Sequence, residues 1–177
     1  TQHTYMLASL YPYGTEKTAN EWAFQGEIRY TWKRGTAMGG KYGTTLKLNA
    51  SHIRGTTDSW FGMSKAPYYT DVNLELNKKL TKQWYIGAMA MYQTYNKQAI
   101  EGHGDLVRAG IGVVEAKYAL NKNIQMRGEV QYMYTQQDQG QWVAALYELS
   151  LWRQLVLSGQ WMYNIGYAHE ATNEHYY

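Results

Sequence analysis

Two short motifs bring together residue types that could do hydrolytic or metal chemistry. Ser51-His52 combines a possible nucleophile with a possible general base. His169-Glu170 begins like the zinc motif H-E-x-x-H, but Asn173 stands where the second His belongs. Adjacent residues of a strand point to opposite faces, so Ser51 and His52 would not meet, and the polar sequence around His169 indicates a solvated loop. We therefore expect no catalytic residue, no metal, no cofactor and no enzymatic activity.

Charged side chains at every second residue are the larger polar feature of the sequence. In segment 125–135, Arg127 and Glu129 alternate with the apolar Met126 and Val130. Such alternation gives a β-strand one wet and one dry face. Mixed charges on one wall can line a wet pore or form a structural ion-pair network. The residues expected to face such a lumen are Glu27, Arg29, Lys47, Asp71, Glu75, Glu115, Lys117, Arg127, Glu129 and Glu148.

The same two-residue period extends over nearly the whole chain and predicts about nine strands, with no helical period. The connections form a longer, polar set and a mostly tight set, and the two sets alternate. This order predicts antiparallel up-and-down topology. The regular segments are 20–34, 42–53, 70–77, 125–135 and 155–167; the less regular ones are 84–97, 106–120 and 142–152, and residues 3–12 fit either phase.

The two sets of connections also differ in charge. The tight set carries bases and no acid, whereas the longer set mixes both signs. Because bacterial barrels have short turns on the periplasmic side, we expect the tight set on that side and the longer set outside. This orientation rests on loop length, and no physical role is assigned to the charge difference. The bases of the tight set are Lys33, Arg34, Lys41, Lys78, Lys79, Lys82, Lys122 and Arg153.

Composition excludes several classes of protein. A net charge of +3 with no basic tract argues against a nucleic-acid partner. The absence of Cys excludes disulfides and thiolate metal sites, and no apolar run reaches the ~18 residues of a transmembrane helix. Because the chain has no initiator Met and no leader, we expect a mature form or a fragment.

The aromatic residues favour a membrane interface. The chain has 18 Tyr and 7 Trp but only 2 Phe, and Tyr and Trp suit a ring with one dry and one wet end. Several strands also exceed the ~9–11 residues that cross a bilayer. The sequence thus predicts an all-β transmembrane barrel, with a secreted carbohydrate-binding β-sandwich as an alternative. The expected lipid-facing girdle is Trp22, Tyr30, Trp32, Tyr42, Trp84, Tyr132, Tyr134, Trp161, Tyr163 and Tyr167.

Parity restricts the register of one hairpin. If the wet residues of 106–120 and 124–135 share a face, paired residue numbers must sum to an even value. A sum of 244 opposes Glu115 with Glu129, so compensation would come from diagonal partners such as Arg127. Sums of 242 or 246 would instead pair opposite charges directly. We expect this cluster to lie inside the barrel.

Several stretches resemble outer-membrane β-barrels of the Bacteroidetes type, and most closely a family known as a domain of unknown function. They are LELNKKLTKQWYIGAMAMYQ (74–93), VEAKYALNKNIQMRGEVQYMY (114–134) and KRGTAMGGKYGT (33–44), with SGQWMYNIGY and HYY (158–167, 175–177) similar to the region before the last strands. The resemblance implies outer-membrane location and a longer barrel. Because bacterial single-chain barrels have even strand numbers, nine strands also suggest that residues 1–177 form one incomplete barrel domain.

These expectations lead to two functional hypotheses. The first is a pore or substrate-uptake component for polar solutes. The second is a structural or scaffold subunit of an outer-membrane complex, with a plugged lumen. The expected partners are outer-membrane phospholipid or lipopolysaccharide and, beside them, other outer-membrane proteins.

Overall fold

The computed structural model describes residues 5–13, 21–56, 63–152 and 154–166. It contains one antiparallel sheet of eight strands, each hydrogen-bonded to its neighbours in sequence. A 3-10 helix (Leu7–Ser9) precedes the sheet, and α1 (Lys97–Glu101) connects two strands. The strands are β1 (Glu21–Trp32), β2 (Thr44–Thr56), β3 (Met63–Lys79), β4 (Trp84–Asn96), β5 (Leu106–Ala119), β6 (Ile124–Tyr134), β7 (Gln141–Leu151) and β8 (Leu155–Gly166).

Two parts of the fold prediction need correction. The prediction of about nine strands was wrong: the described part of the chain has eight, because residues 7–9 form a 3-10 helix. Leu7 and Ala8, two consecutive residues of this helix, are both fully buried, whereas consecutive residues of a strand point to opposite faces of the sheet. The described strands also form an open sheet with β1 and β8 at its edges, not a closed barrel. Alternation specifies the faces of strands but not whether the first strand pairs with the last.

Strand register divides the sheet into two faces with different surroundings. Away from the irregular pairing at the loop ends, the odd-numbered residues of β1–β6 share one face, here named the covered face. Parity changes at β7, where Glu148 pairs with Arg127, so even-numbered residues of β7 and β8 continue that face. The opposite side is named the uncovered face.

An N-terminal segment, residues 5–13, packs on the covered face. Leu7 and Ala8 belong to one buried apolar cluster with strand residues such as Met91, Ile111 and Met133. On the other side, Ile28 is 68% exposed, although it lies in the middle of its strand. The sheet therefore buries its more polar face and exposes its more apolar one.

Candidate functional site

A charged cluster on the covered face is the most concentrated polar feature of the described residues. Arg127 lies at its centre, with Nε 3.0 Å from Glu115 Oε2 and Nη1 2.8 Å from Glu148 Oε2. Nη2 also contacts Glu129. Lys117 Nζ lies 3.3 Å from the other oxygen of Glu115. One guanidinium thus contacts three carboxylates from β5, β6 and β7.

The hairpin register explains this arrangement. Glu115 pairs with Glu129 and Lys117 pairs with Arg127, which is the register with a sum of 244. Like charges therefore oppose each other directly, and the diagonal contact from Arg127 to Glu115 compensates. The turn that sets the register is held by Asn121, whose Oδ1 accepts hydrogen bonds from two backbone N–H groups at 2.8 and 2.9 Å.

The ten residues expected in a lumen all lie on the covered face, although not all are in contact. Lys47 and Glu75 form a second ion pair at 3.3 Å, about 30% exposed on each side. Arg29 and Glu27 on the edge strand are 3.8 Å apart and about half exposed, a geometry that contributes little. Asp71 is fully buried and accepts a hydrogen bond from Tyr69. That this face lines a lumen stays a prediction.

Two buried glutamines, which are absent from the residues predicted to be functional, hold the N-terminal segment on the covered face. Gln131 Oε1 accepts from the Leu7 N–H at 2.8 Å, while its Nε2 donates to Glu129 at 2.5 Å. Gln93 Nε2 donates to the Tyr11 carbonyl at 3.1 Å. The segment is thus connected to the charged cluster through Gln131. Periodicity could place both glutamines on the wet face but could not show that a second segment meets them.

Tyr5 extends the N-terminal segment toward the charged residues. Burial first, and then the negative charges of Glu115, Glu75 and Glu129, raise the pKa of Tyr5 to about 12. Its phenol therefore stays protonated and neutral at any physiological pH. The segment adds no charge of its own to the cluster through this residue.

A second anchor holds the segment at the loop end of the sheet, where connections 97–105 and 135–140 lie. Tyr11 Oη donates to Asp138 Oδ2 at 3.0 Å, and Lys97 Nζ donates to Oδ1 at 2.8 Å. Burial alone would raise the pKa of Asp138, but hydrogen bonds from Lys97 and Tyr11 lower it. The same hydrogen bond raises the pKa of Lys97. Both groups are held in their charged forms.

The proposed girdle residues lie on the uncovered face wherever the register can be followed. Trp22, Tyr30, Trp161 and Tyr163 are each 42–57% exposed, and Trp161 stacks on Tyr163 at 5.8 Å. Trp32, Trp84, Tyr132 and Tyr134 share this face. Tyr42 lies in the turn before β2, and Tyr167 lies outside the described residues. Whether this face meets lipid stays a prediction.

Small residues occupy much of the middle of the uncovered face. Ala90 and Gly112 pair on adjacent strands, with Tyr132 on the other side of Gly112. A Cβ added at Gly112 would meet no atom within 4 Å. A shallow apolar groove of about 460 Å³ crosses this region, with Leu74 and Val114 among its lining residues.

The structure separates the residues that suggested hydrolytic chemistry. Ser51 pairs with Asp71 on the covered face, while His52 lies on the other face and hydrogen-bonds Thr70 at 2.7 Å. Among the described residues no group of three His, Cys, Asp or Glu could hold a metal ion. His169 lies outside them. None of the helices in the described ranges has the length and apolar character needed to cross a membrane.

The fold and the candidate site define the class as an up-and-down antiparallel sheet protein with an ionic network on its covered face. No curated protein and no solved structure matches the chain. A family model, "Family of unknown function (DUF6029)", matches residues 1–177, and the chain belongs to this family.

Proposed function

We propose that this chain forms part of an outer-membrane β-barrel, with its uncovered face against lipid and its covered face lining a polar interior. The observation that carries the proposal is the inverted burial of the sheet. Val114 and Val130 are 63% and 58% exposed, while Glu115 and Glu129, their neighbours in sequence, are 5% and 4% exposed. In water this arrangement would lose hydrophobic free energy, whereas in a bilayer it places each residue type in its favoured medium.

The order of residue types along the strands supports the proposal. On β1, Trp22 and Trp32 stand at the two ends of the uncovered face, with Gly26 and Ile28 between them. Trp and Tyr favour the two interfaces of a membrane, and aliphatic residues favour the hydrocarbon. The eight strands have 11–17 residues, enough to cross a bilayer at a tilt.

Membrane insertion also requires both sheet edges to be paired. β1 and β8 are each 12 residues long, and among the described strands each of them pairs on one side only. In hydrocarbon, an unpaired backbone group costs several kcal/mol. The proposal therefore includes pairing of β1 and β8, either with each other or with further strands.

For the interior, we propose a conduit for polar solutes as the first function. Three cations and four carboxylates, all with ionic partners, make up its central charges. The connections β1–β2, β3–β4 and β5–β6 lie at the end of the sheet opposite the loop end, here named the turn end. Arg127, Glu148 and the Lys47–Glu75 pair are each 27–31% exposed, so solutes entering from the turn end would reach them. Mixed charges of this kind favour polar solutes over apolar ones.

A plugged scaffold is the second candidate, and the N-terminal segment favours it. Leu7 and Ala8 have no exposed surface, and two glutamines and Asp138 hold the segment against the sheet. Planar-bilayer recording separates the two functions. Steady currents from the reconstituted protein support the conduit, and a silent protein that inserts fully supports the scaffold.

A pair of single-cysteine variants tests the membrane proposal itself, because the chain contains no Cys. Ile28→Cys lies on the uncovered face and Thr31→Cys lies on the covered face of the same strand. With a polarity-sensitive fluorophore attached, the emission from position 28 should shift to the blue in vesicles, and that from position 31 should shift much less. Equal spectra at both positions, or a protein that stays in solution without detergent, would contradict the proposal.

A further inference from the structure

One end of the sheet carries a set of exposed cations that the proposed interior does not use. This basic rim comprises Lys33, Arg34, Lys41, Lys79, Lys82 and Lys122, all exposed. They lie in or beside the connections β1–β2, β3–β4 and β5–β6, which share one end of the sheet. The described residues of those connections, 33–43, 80–83 and 120–123, include no acid.

The turns that present these cations are ordered by their own hydrogen bonds. Thr81 Oγ1 accepts from the N–H groups of Gln83 and Trp84, at 3.1 and 3.0 Å. Asn121 does the same in the β5–β6 turn. In both turns a Lys follows the capping residue, so Lys82 and Lys122 occupy equivalent exposed positions.

Two carboxylates on the strands that lead to this end of the sheet already have cationic partners on the covered face. Glu75 pairs with Lys47, and Glu148 pairs with Arg127. At the opposite, loop end the pattern differs, since Lys97 is neutralised by Asp138 at 2.8 Å. The positive charge of the basic rim is therefore available to a partner from outside the described chain.

Aromatic side chains connect the basic rim to the uncovered face. Trp84 and Tyr118, with ring centroids 4.7 Å apart, end that face on β4 and β5. Tyr42 lies beside the rim, with Lys41 Nζ and Lys79 Nζ at 5.9 and 5.5 Å from its ring centroid. From the middle of the sheet outward, the residues change from aliphatic to aromatic to cationic. This is the order of hydrocarbon, interface and headgroup in a membrane.

We infer that the basic rim binds the headgroups of anionic phospholipids in the leaflet that meets the turn end. The inference rests on the proposed function, because only a sheet embedded through its uncovered face brings the rim to headgroup depth. A lysine can lay its methylene stem along apolar surface and extend its ammonium group outward to reach such headgroups. Phospholipid is favoured over soluble anions because the aromatic belt lies directly beside the cations.

Native mass spectrometry of the detergent-solubilised protein can measure this binding. Phosphatidylglycerol is titrated against phosphatidylcholine, with inorganic phosphate and lipid A as competing probes. The test variant is K82Q/K122Q, and R108Q is the control, because Arg108 is an exposed base on the uncovered face near the loop end. Each rim lysine removed should weaken phosphatidylglycerol binding about fivefold, while R108Q should stay within about twofold.

Preferential binding of phosphatidylglycerol that K82Q/K122Q weakens and R108Q does not would support the inference. Equal affinity for both phospholipids, or an equal loss in R108Q, would overturn it. Displacement by millimolar inorganic phosphate would show an unspecific anion site, and a preference for lipid A would assign another lipid; either result overturns it. Failure of the proposed function is separate, since it would appear as failure to insert into phosphatidylcholine vesicles.

Discussion

At the scale of single residues, Arg127 holds together a group of carboxylates that would otherwise repel one another. Glu115 and Glu129 are directly opposed and only 6% and 3% exposed in their side chains. Replacing Arg127 with Gln removes the cation that contacts Glu129 and leaves Glu115 with Lys117 as its cationic partner. We therefore expect a loss of about 2–4 kcal/mol in the free energy of unfolding. Urea denaturation in a fixed detergent would measure it.

Lys117→Gln is the matched control for that substitution. Lys117 also contacts Glu115, but it is 47% exposed, so its removal should cost less than about 1 kcal/mol. Equal losses for R127Q and K117Q would show that the shared guanidinium has no special role. In a conducting barrel, R127Q should also increase the preference for cations, because it makes the interior more negative.

Asp138 predicts how attachment of the N-terminal segment depends on pH. Its pKa is lowered from 3.8 in the folded protein, so its contribution is fully present above that value and is lost as pH falls through the folded pKa. The protection factors of the backbone amides at residues 7–11, which compare the observed with the intrinsic exchange rate, should therefore be constant down to about pH 5 and fall below about pH 4. Asp138→Asn should remove this acid dependence.

Asn is the appropriate replacement because residue 138 has φ of 57°, a conformation that Asn and Asp both tolerate. Lys97 sets the alkaline limit, since its raised pKa keeps the contact below 10.5 and the contact is lost as pH rises through the folded pKa. Protection that falls between pH 8 and 5 would contradict this assignment.

The sequence was informative about these residues only in part. Alternation placed Glu115, Arg127 and Glu129 on one face, because the pleat dictates the period. It left three registers open, and the turn at Asn121 decides among them through two backbone hydrogen bonds. The contact with Glu148 was beyond prediction, because it depends on the odd-sum pairing of β6 with β7.

At the scale of elements, the N-terminal segment depends on Gln131. Replacing Gln131 with Leu leaves the N–H of Leu7 without its acceptor in a buried site, which costs about 1–3 kcal/mol. The segment should then become more accessible to proteolysis and to hydrogen exchange at residue 7. Gln125→Leu is the control, since Gln125 lies on the same strand and face but is exposed. Equal accessibility in both variants would count against this anchor.

The turn between β1 and β2 depends on one glycine. A Cβ at Gly39 would lie 1.9 Å from the carbonyl oxygen of Lys33, so Gly39→Ala forces the backbone to shift. We expect a loss of about 1–3 kcal/mol in the free energy of unfolding. Gly128→Ala should change it by less than about 0.5 kcal/mol, because a Cβ there meets no atom within 4 Å. Similar values from denaturation of the two variants would refute the steric argument.

Strand boundaries were largely predictable, because alternation stops where a polar connection begins. Seven of the eight described strands begin and end within three residues of the predicted segments, and β3 starts seven residues before the predicted segment 70–77. The segment 5–13 was not, since its residues suit either phase and their burial depends on Gln93 and Gln131, distant in sequence. Two adjacent apolar residues, Leu7 and Ala8, followed by Pro12, are the only local signs that it is not a strand. Whether the sheet closes into a barrel could not be predicted for a different reason. Closure depends on pairing between β1 and β8, and the alternation within each strand carries no information about its pairing partner.

At the scale of the whole molecule, the exposed apolar residues of the uncovered face predict that one charged substitution has different effects in water and in lipid. Val114 lies near the middle of β5 and is 63% exposed on the uncovered face. In water, Val114→Lys would place a charge on an accessible surface and change stability little. At the middle of a bilayer the same lysine costs about 2–4 kcal/mol, and near the interface it costs about 0–1 kcal/mol. The contrast between the two positions therefore reports the surrounding medium.

Leu120→Lys supplies the interface position, because Leu120 is 47% exposed just beyond the end of β5. Folding into vesicles, followed by protease protection, should show a large loss for V114K and nearly normal insertion for L120K. Both side chains are exposed in the isolated chain, so water would treat the two substitutions alike. A bilayer would penalise a lysine at position 114 and tolerate one at position 120. If V114K inserts as well as L120K, or if it improves solubility without detergent and leaves the fold intact, the uncovered face does not meet lipid.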